Sequence, residues 1–183
     1  MPLPEPVRRE PLHTRRVECR GYRRADGWWD IEGHLVDTKD YPFANEIRGE
    51  IAPGIALHDM WLRLTVDDAL VVRDVVAVTE AGPYAVCPAI TPAFTKLVGL
   101  TIGPGWRREV LARLGGIRGC THLVELLWPL ATAAYQTIYP VLARERPARD
   151  EDRPPGHLDS CHALARDGEV VRAHHPRWYT GAD

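Results

Sequence analysis

No apolar run in the 183-residue chain reaches the ~20 residues that a membrane span needs. No excess of charge stands out either. The net charge of -2 offers no bulk attraction to nucleic acid or to a membrane surface. Cysteine is scarce: Cys19, Cys87, Cys120 and Cys161 lie far apart, with no C-x-x-C pair. That spacing argues against a disulfide framework and a zinc ribbon. Neither a G-x-G-x-x-G nor a G-K-[ST] loop is present, so no nucleotide cofactor is expected. The missing G-x-S-x-G and H-E-x-x-H lower the case for α/β-hydrolases and common metalloproteases. Residues 1–9 are rich in Pro and Arg and lack the apolar core of a secretion signal, so a cytoplasmic location is expected. What is present is an ordinary globular composition, 45% hydrophobic and 26% charged, enough for one core.

Along the chain, 1–12 reads as a flexible arm and 13–143 as a single domain. A charged, Pro-rich linker over 144–156 follows, then a hairpin or tail over 157–183 that returns to the domain. Strand signals over 14–24 and 28–38 flank Ala25-Asp26-Gly27, a turn signal. Alternation puts Trp29, Ile31, Gly33 and Leu35 on one face and Trp28, Asp30, Glu32, His34 and Val36 on the other. A turn centred on Asp26-Gly27 would set Arg23 opposite Asp30 and Cys19 opposite His34. The stretch 37–53 reads as a long loop. Strands over 60–66 and 70–79 make a second hairpin. Beyond Pro88 the period becomes helical. Short helices are expected over 93–102 and 106–114, then a long one over 121–143 with Leu123, Leu127, Leu130, Ala134, Ile138 and Val141 on one face. Arg166-Asp167-Gly168 suggests a last hairpin. The fold class expected is α+β: an antiparallel sheet of two N-terminal hairpins, C-terminal helices packed on one face, and an extra C-terminal hairpin.

Four stretches carry side chains capable of chemistry. Asp30-x-Glu32-x-His34 projects carboxylates and an imidazole from one strand face, although a solvated face answering the Arg-rich strand explains Asp30 as well. His58-Asp59 sits where the long loop meets a strand. Cys120-Thr121-His122-x-x-Glu125 opens the longest helix, with His122 and Glu125 three apart on one surface and Cys120 at its positive end. The Glu falls one position late for a capping box counted from Thr121. His157 to His162, with His174-His175 beyond, fits no zinc module. Each also has a plain structural reading: a capped helix end, a buried Cys, a satisfied loop His.

The stretches Leu12-His13-Thr14-Arg15, Trp29-Asp30-Ile31-Glu32-Gly33-His34-Leu35-Val36-Asp37-Thr38-Lys39, Leu57-His58-Asp59-Met60-Trp61-Leu62-Arg63-Leu64-Thr65, Cys120-Thr121-His122-Leu123 and Asp159-Ser160-Cys161-His162-Ala163-Leu164 together resemble the bacterial family catalogued as domain of unknown function 2889. The resemblance covers nearly the whole length and implies a place among genes for aromatic-compound breakdown. A weaker architectural likeness is to iron–sulfur scaffold proteins of the U type, with Cys87, Cys120 and His122 in corresponding places and the third Cys missing.

The leading expectation is a small-molecule enzyme doing lyase-type acid–base or metal-assisted chemistry on a hydroxylated aromatic compound. Glu32 or Glu125 would be the base. His34, His58 and His122 would hold a divalent metal (zinc, iron or manganese) or donate to oxygen. Trp28, Trp29 and Trp61, with Cys120, would line the substrate. The alternative is a non-catalytic metal or iron–sulfur carrier using Cys87, Cys120 and His122. A third reading is an interaction module tethered by its Arg-rich arm and tail. Neither nucleic acid nor membrane is expected as a partner, and exposed hairpin edges allow a homodimer.

Overall fold

The computed structural model describes residues 3–145 and 154–182. By contacts it divides into two compact units, Met1–Leu142 and Ala143–Asp183. The first is a mixed α+β fold. Strands β1 (His13–Arg23), β2 (Trp29–Lys39), β5 (Ala56–Val66) and β6 (Val72–Ala81) form one antiparallel sheet in the order β1-β2-β5-β6, and β3 (Phe43–Asn45) pairs with β4 (Gly49–Ile51) apart from it. Helices α1 (Trp106–Leu114) and α2 (Thr121–Glu145) follow. Among the described residues no helix is long and apolar enough to cross a membrane.

Period-two alternation decides which sheet face is covered. Trp29, Ile31 and Leu35 of β2 and Met60, Leu62 and Leu64 of β5 are buried in one core with Leu123, Leu126, Leu127 and Leu130 of α2. Gly33 lets the helix come close: a Cβ there would lie 3.0–3.1 Å from Leu126 and Leu130. Gly21 on edge strand β1 is tighter still, since a Cβ would fall 2.7 Å from the Cβ of Thr137 and nearer to its hydroxyl. Rotating the threonine cannot clear that contact, so α2 would have to move. Gly21→Ala is therefore expected to cost about 1–3 kcal/mol, read as a lower denaturant midpoint at unchanged m-value. A midpoint equal to wild type would mean the strand-helix approach is looser than it looks.

Several expectations need correction. The first hairpin pairs Cys19 with Gly33, Glu18 with His34 and Arg23 with Trp29, one residue from the expected register. The turn closes through Arg24 N to Trp28 O (2.8 Å) with Gly27 at φ 90, so Ala25, Asp26 and Gly27 all lie inside it. The 37–53 loop contains β2's last residues and the small β3–β4 hairpin, and β5 begins at Ala56. In place of an α-helix over 93–102 there is a 3-10 segment, Cys87–Leu97, punctuated by Pro88 and Pro92, which lack the donor an α-turn needs. The extra C-terminal hairpin is absent among the described residues. Instead Gly168 precedes helix α3 (Glu169–His174), flanked by 3-10 turns His162–Leu164 and Pro176–Trp178. Val170-Val171 is too short an apolar pair to fix a strand against an acidic helix start. Most of the expected 144–156 linker, residues 146–153, lies outside the described residues.

Candidate functional site

Arg15, Asp37 and His58 are register partners across β1, β2 and β5, which sets them in one row. The same period that buries Trp29, Ile31 and Leu35 carries on to Asp37, so an acid ends up on the helix-covered face, 2% exposed. Next to it the β2–β5 ladder shifts register between Asp37 and Thr38. That irregularity leaves both Leu57 and His58 buried, as a bulge does when it re-aims a side chain.

The contacts converge on the Asp37 carboxylate. Arg15 donates from Nε to Oδ1 and from Nη2 to Oδ2, each at 2.8 Å. His58 Nδ1 lies 3.0 Å from Oδ2 and His13 Nε2 lies 3.4 Å from Oδ1. A carboxylate only accepts, so His58 carries its hydrogen on Nδ1 and presents Nε2 as a base. From α2, Glu125 accepts a 2.8 Å hydrogen bond from Arg15 Nη1, and the His122 ring centroid sits 3.8 Å from that of His58. Cys120 Sγ is 3.9 Å from His122 Nδ1. The His122-x-x-Glu125 spacing thus delivers one side chain to the imidazole and the other to the guanidinium of the strand row.

Burial alone would raise the Asp37 carboxyl, but Arg15 reverses this and holds it below the ordinary carboxylate value, helped by His58 and His13. His58 is pushed below the ordinary imidazole value by burial and then by His122. Burial and the Arg15 charge lower His122 likewise. Both imidazoles therefore resist protonation in the folded chain. For each, the unfolded chain takes up a proton first as pH falls, near pH 6.5, so stability is lost on the way down from neutral. Melting scans from pH 8 to 5 are expected to show a falling midpoint whose slope is reduced in His58→Gln. Parallel slopes for the two proteins would remove this linkage.

Among the described residues, Asp37, His58 and His122 form the one group of three able to hold a metal, with ligand atoms within 4.8 Å of one another. Neutral imidazoles suit such a role. The carboxylate fits it less well, because both of its oxygens are engaged by Arg15, whose charge also opposes a cation. Cys87, Cys120 and His122 form no such group. Cys87 instead packs beside Gly82.

The structure brings together His58, His122, Glu125 and Cys120 and separates them from Glu32 and His34. Those two lie on the opposite sheet face, since alternation sends 32 and 34 away from the helices. There His34 Nε2 bonds Asp59 Oδ1 at 2.8 Å, its ring stacks on Trp61 at 3.7 Å, and Glu32 lines a hollow of about 180 Å³ with Glu18 and Arg20. His34 thus cannot join His58 and His122 as a metal ligand, and Glu32 cannot be their base. Nor do the three tryptophans wall this centre. Trp28 is exposed beneath Arg24, Trp29 is core with Nε1 bonded to Asp68, and Trp61 belongs to the outer face. Sequence reasoning missed Arg15 and Asp37. The signal available for Asp37 was the alternation running two residues past Leu35.

Residues 13–136 match the family described as Protein of unknown function (DUF2889). The chain belongs to this family. No curated protein and no solved structure matches the chain. The matched span takes in every member of the centre, from His13 and Arg15 to Glu125, and ends within α2.

Proposed function

We propose that the protein is a small-molecule enzyme of lyase type, working by acid–base chemistry on a hydroxylated compound. The observation that carries this reading is the Asp37–His58 contact of 3.0 Å, in which a buried carboxylate fixes one imidazole nitrogen and leaves the other to exchange a proton. In a retro-aldol step His58 Nε2 takes the hydroxyl proton, and the oxygen's electron pair forms a carbonyl as the carbon–carbon bond breaks. The bond's electrons pass to the adjacent acyl group as an enolate, whose oxygen His122 meets as a donor. The proton then returns from His58 to the enolate carbon, so the step closes without an oxidant. Aromatic character of the substrate rests on the family resemblance, which implies a place among aromatic-breakdown genes. A metal-assisted version has the Asp37, His58 and His122 grouping in its favour. A bound zinc, iron or manganese would polarise the acyl oxygen there.

The test is a panel of aromatic β-hydroxy acids and β-hydroxy ketones incubated with protein as isolated and after chelation, with cleavage products read by mass spectrometry. Turnover that survives chelation supports the acid–base reading. Turnover lost on chelation and restored by one metal transfers the role to the metal. No cleavage or dehydration of any member sinks the proposal.

A further inference from the structure

A separate hollow of about 630 Å³ lies where the start of α1 meets the outward stripe of α2, within the size range of small-molecule sites. Its walls are Trp106, Trp128, Tyr135, Leu70 and Ile102, so it offers planar and apolar surface. Three features favour a negatively charged guest. No side chain caps the start of α1 at Gly105, so the helix presents uncapped amides and the positive end of its dipole beside the hollow. Arg107 holds its guanidinium 4.7 Å from the Trp128 ring centroid and makes no ion pair among the described residues, whereas its neighbours Arg108 and Arg113 are both occupied by Glu109. The Trp106 side chain is 5% exposed, yet its indole N–H has no hydrogen-bond partner among the described residues. An orphaned buried donor is costly unless an acceptor meets it.

We propose that this hollow binds a small organic anion with a planar apolar body, its charged group held by Arg107 and the amide end of α1 and its body packed against Trp128 and Tyr135 beside the buried Trp106. The Trp106 N–H supplies one hydrogen bond to an acceptor on the guest. A smaller hollow of about 270 Å³ adjoins it, sharing Arg107 and Trp128 and reaching Glu125, which leaves room for a substituent on the guest. The binding site stands apart from the acid–base proposal, since it needs no turnover.

The experiment is calorimetric titration of the full chain with 2-naphthoate and with the neutral 2-naphthalenemethanol, using wild type, Arg107→Gln, Trp106→Phe and His58→Gln. Expected are one saturable site for 2-naphthoate, at least tenfold weaker binding of the neutral probe, a loss of tenfold or more in Arg107→Gln, a several-fold loss in Trp106→Phe, and full binding in His58→Gln. If Trp106→Phe fails to fold, exposed Arg107 still decides the matter. No saturable binding to wild type, equal affinity for the two probes, or an unchanged Arg107→Gln would each overturn the proposal.

Discussion

His58→Gln is expected to lower turnover by ~10²–10⁴-fold, the usual share of a positioned general base, while the chain stays folded. Glutamine has nearly the reach of histidine and an amide N–H that can still meet Asp37, so the buried carboxylate keeps a donor. What it lacks is a site that takes a proton near neutral pH. Among the described residues His58 Nε2 carries no hydrogen bond, so its loss leaves no buried group stranded. The pH profile adds a second readout. Because burial and His122 press the His58 pKa below its ordinary value, the base remains free as pH falls through 6.5, and wild-type activity should decline only on the acid side of that point. A decline centred above pH 7 would assign the base elsewhere. Residual turnover in His58→Gln within a factor of two of wild type would remove His58 from the chemistry, with Glu125 the next residue to test.

How much of this was legible beforehand depends on which regularity each residue obeyed. The four long strands and the long helix follow from period: Trp29, Ile31, Gly33 and Leu35 alternate, and Leu123, Leu127, Leu130 and Ala134 repeat at helical spacing. His58 stood out because it sits where a long loop meets a strand, and His122 and Glu125 because they lie three apart at the opening of the longest helix. Their partners did not. Asp37 lies at the end of β2, where an acid ordinarily signals a loop, and Arg15 is one of many arginines on an edge strand. Only the register of β1 on β2 and of β2 on β5 sets Arg15, Asp37 and His58 in a row, and register is the quantity a turn of uncertain length leaves free. The same one-residue ambiguity explains why Cys19 was expected opposite His34. His34 failed as a ligand for a simpler reason: parity alone excludes it from the face of residue 37, once the covered face is known. The hollow of Trp106 and Trp128 was hidden because buried core is the commoner fate of tryptophan, and nothing local tells a wall from a core.

Asp37→Asn is the substitution expected to cost the fold most. In wild type both carboxylate oxygens accept from the Arg15 fork and one also meets His58. An asparagine must put its NH₂ where one of those oxygens was, facing an Arg15 donor whichever way it turns. Breaking a buried pair from one side costs about 3–5 kcal/mol. Arg15 is a third exposed and keeps Glu125 as a partner, so water recovers part of this. The expected net loss is about 2–4 kcal/mol, a melting midpoint lower by roughly 5–15 °C for a chain of this size. The pH dependence identifies the cause. Asp37 has a lowered folded value, so its contribution is present above the ordinary carboxylate pKa near 4 and is lost as pH falls through the folded value below it. The gap between wild type and Asp37→Asn should therefore be wide at pH 7 and close progressively below pH 4. In either orientation the variant also removes the negative charge that steadies the His58 imidazolium as it takes the proton. Turnover should therefore fall even at temperatures where the variant is fully folded. An amide NH₂ facing Nδ1 would in addition push the His58 hydrogen to Nε2. Arg15→Met/Asp37→Leu supplies the contrast: with both charges gone, stability should recover above that of Asp37→Asn while turnover does not. Equal stability of the single and double variants would mean the carboxylate is needed for packing rather than for its charge.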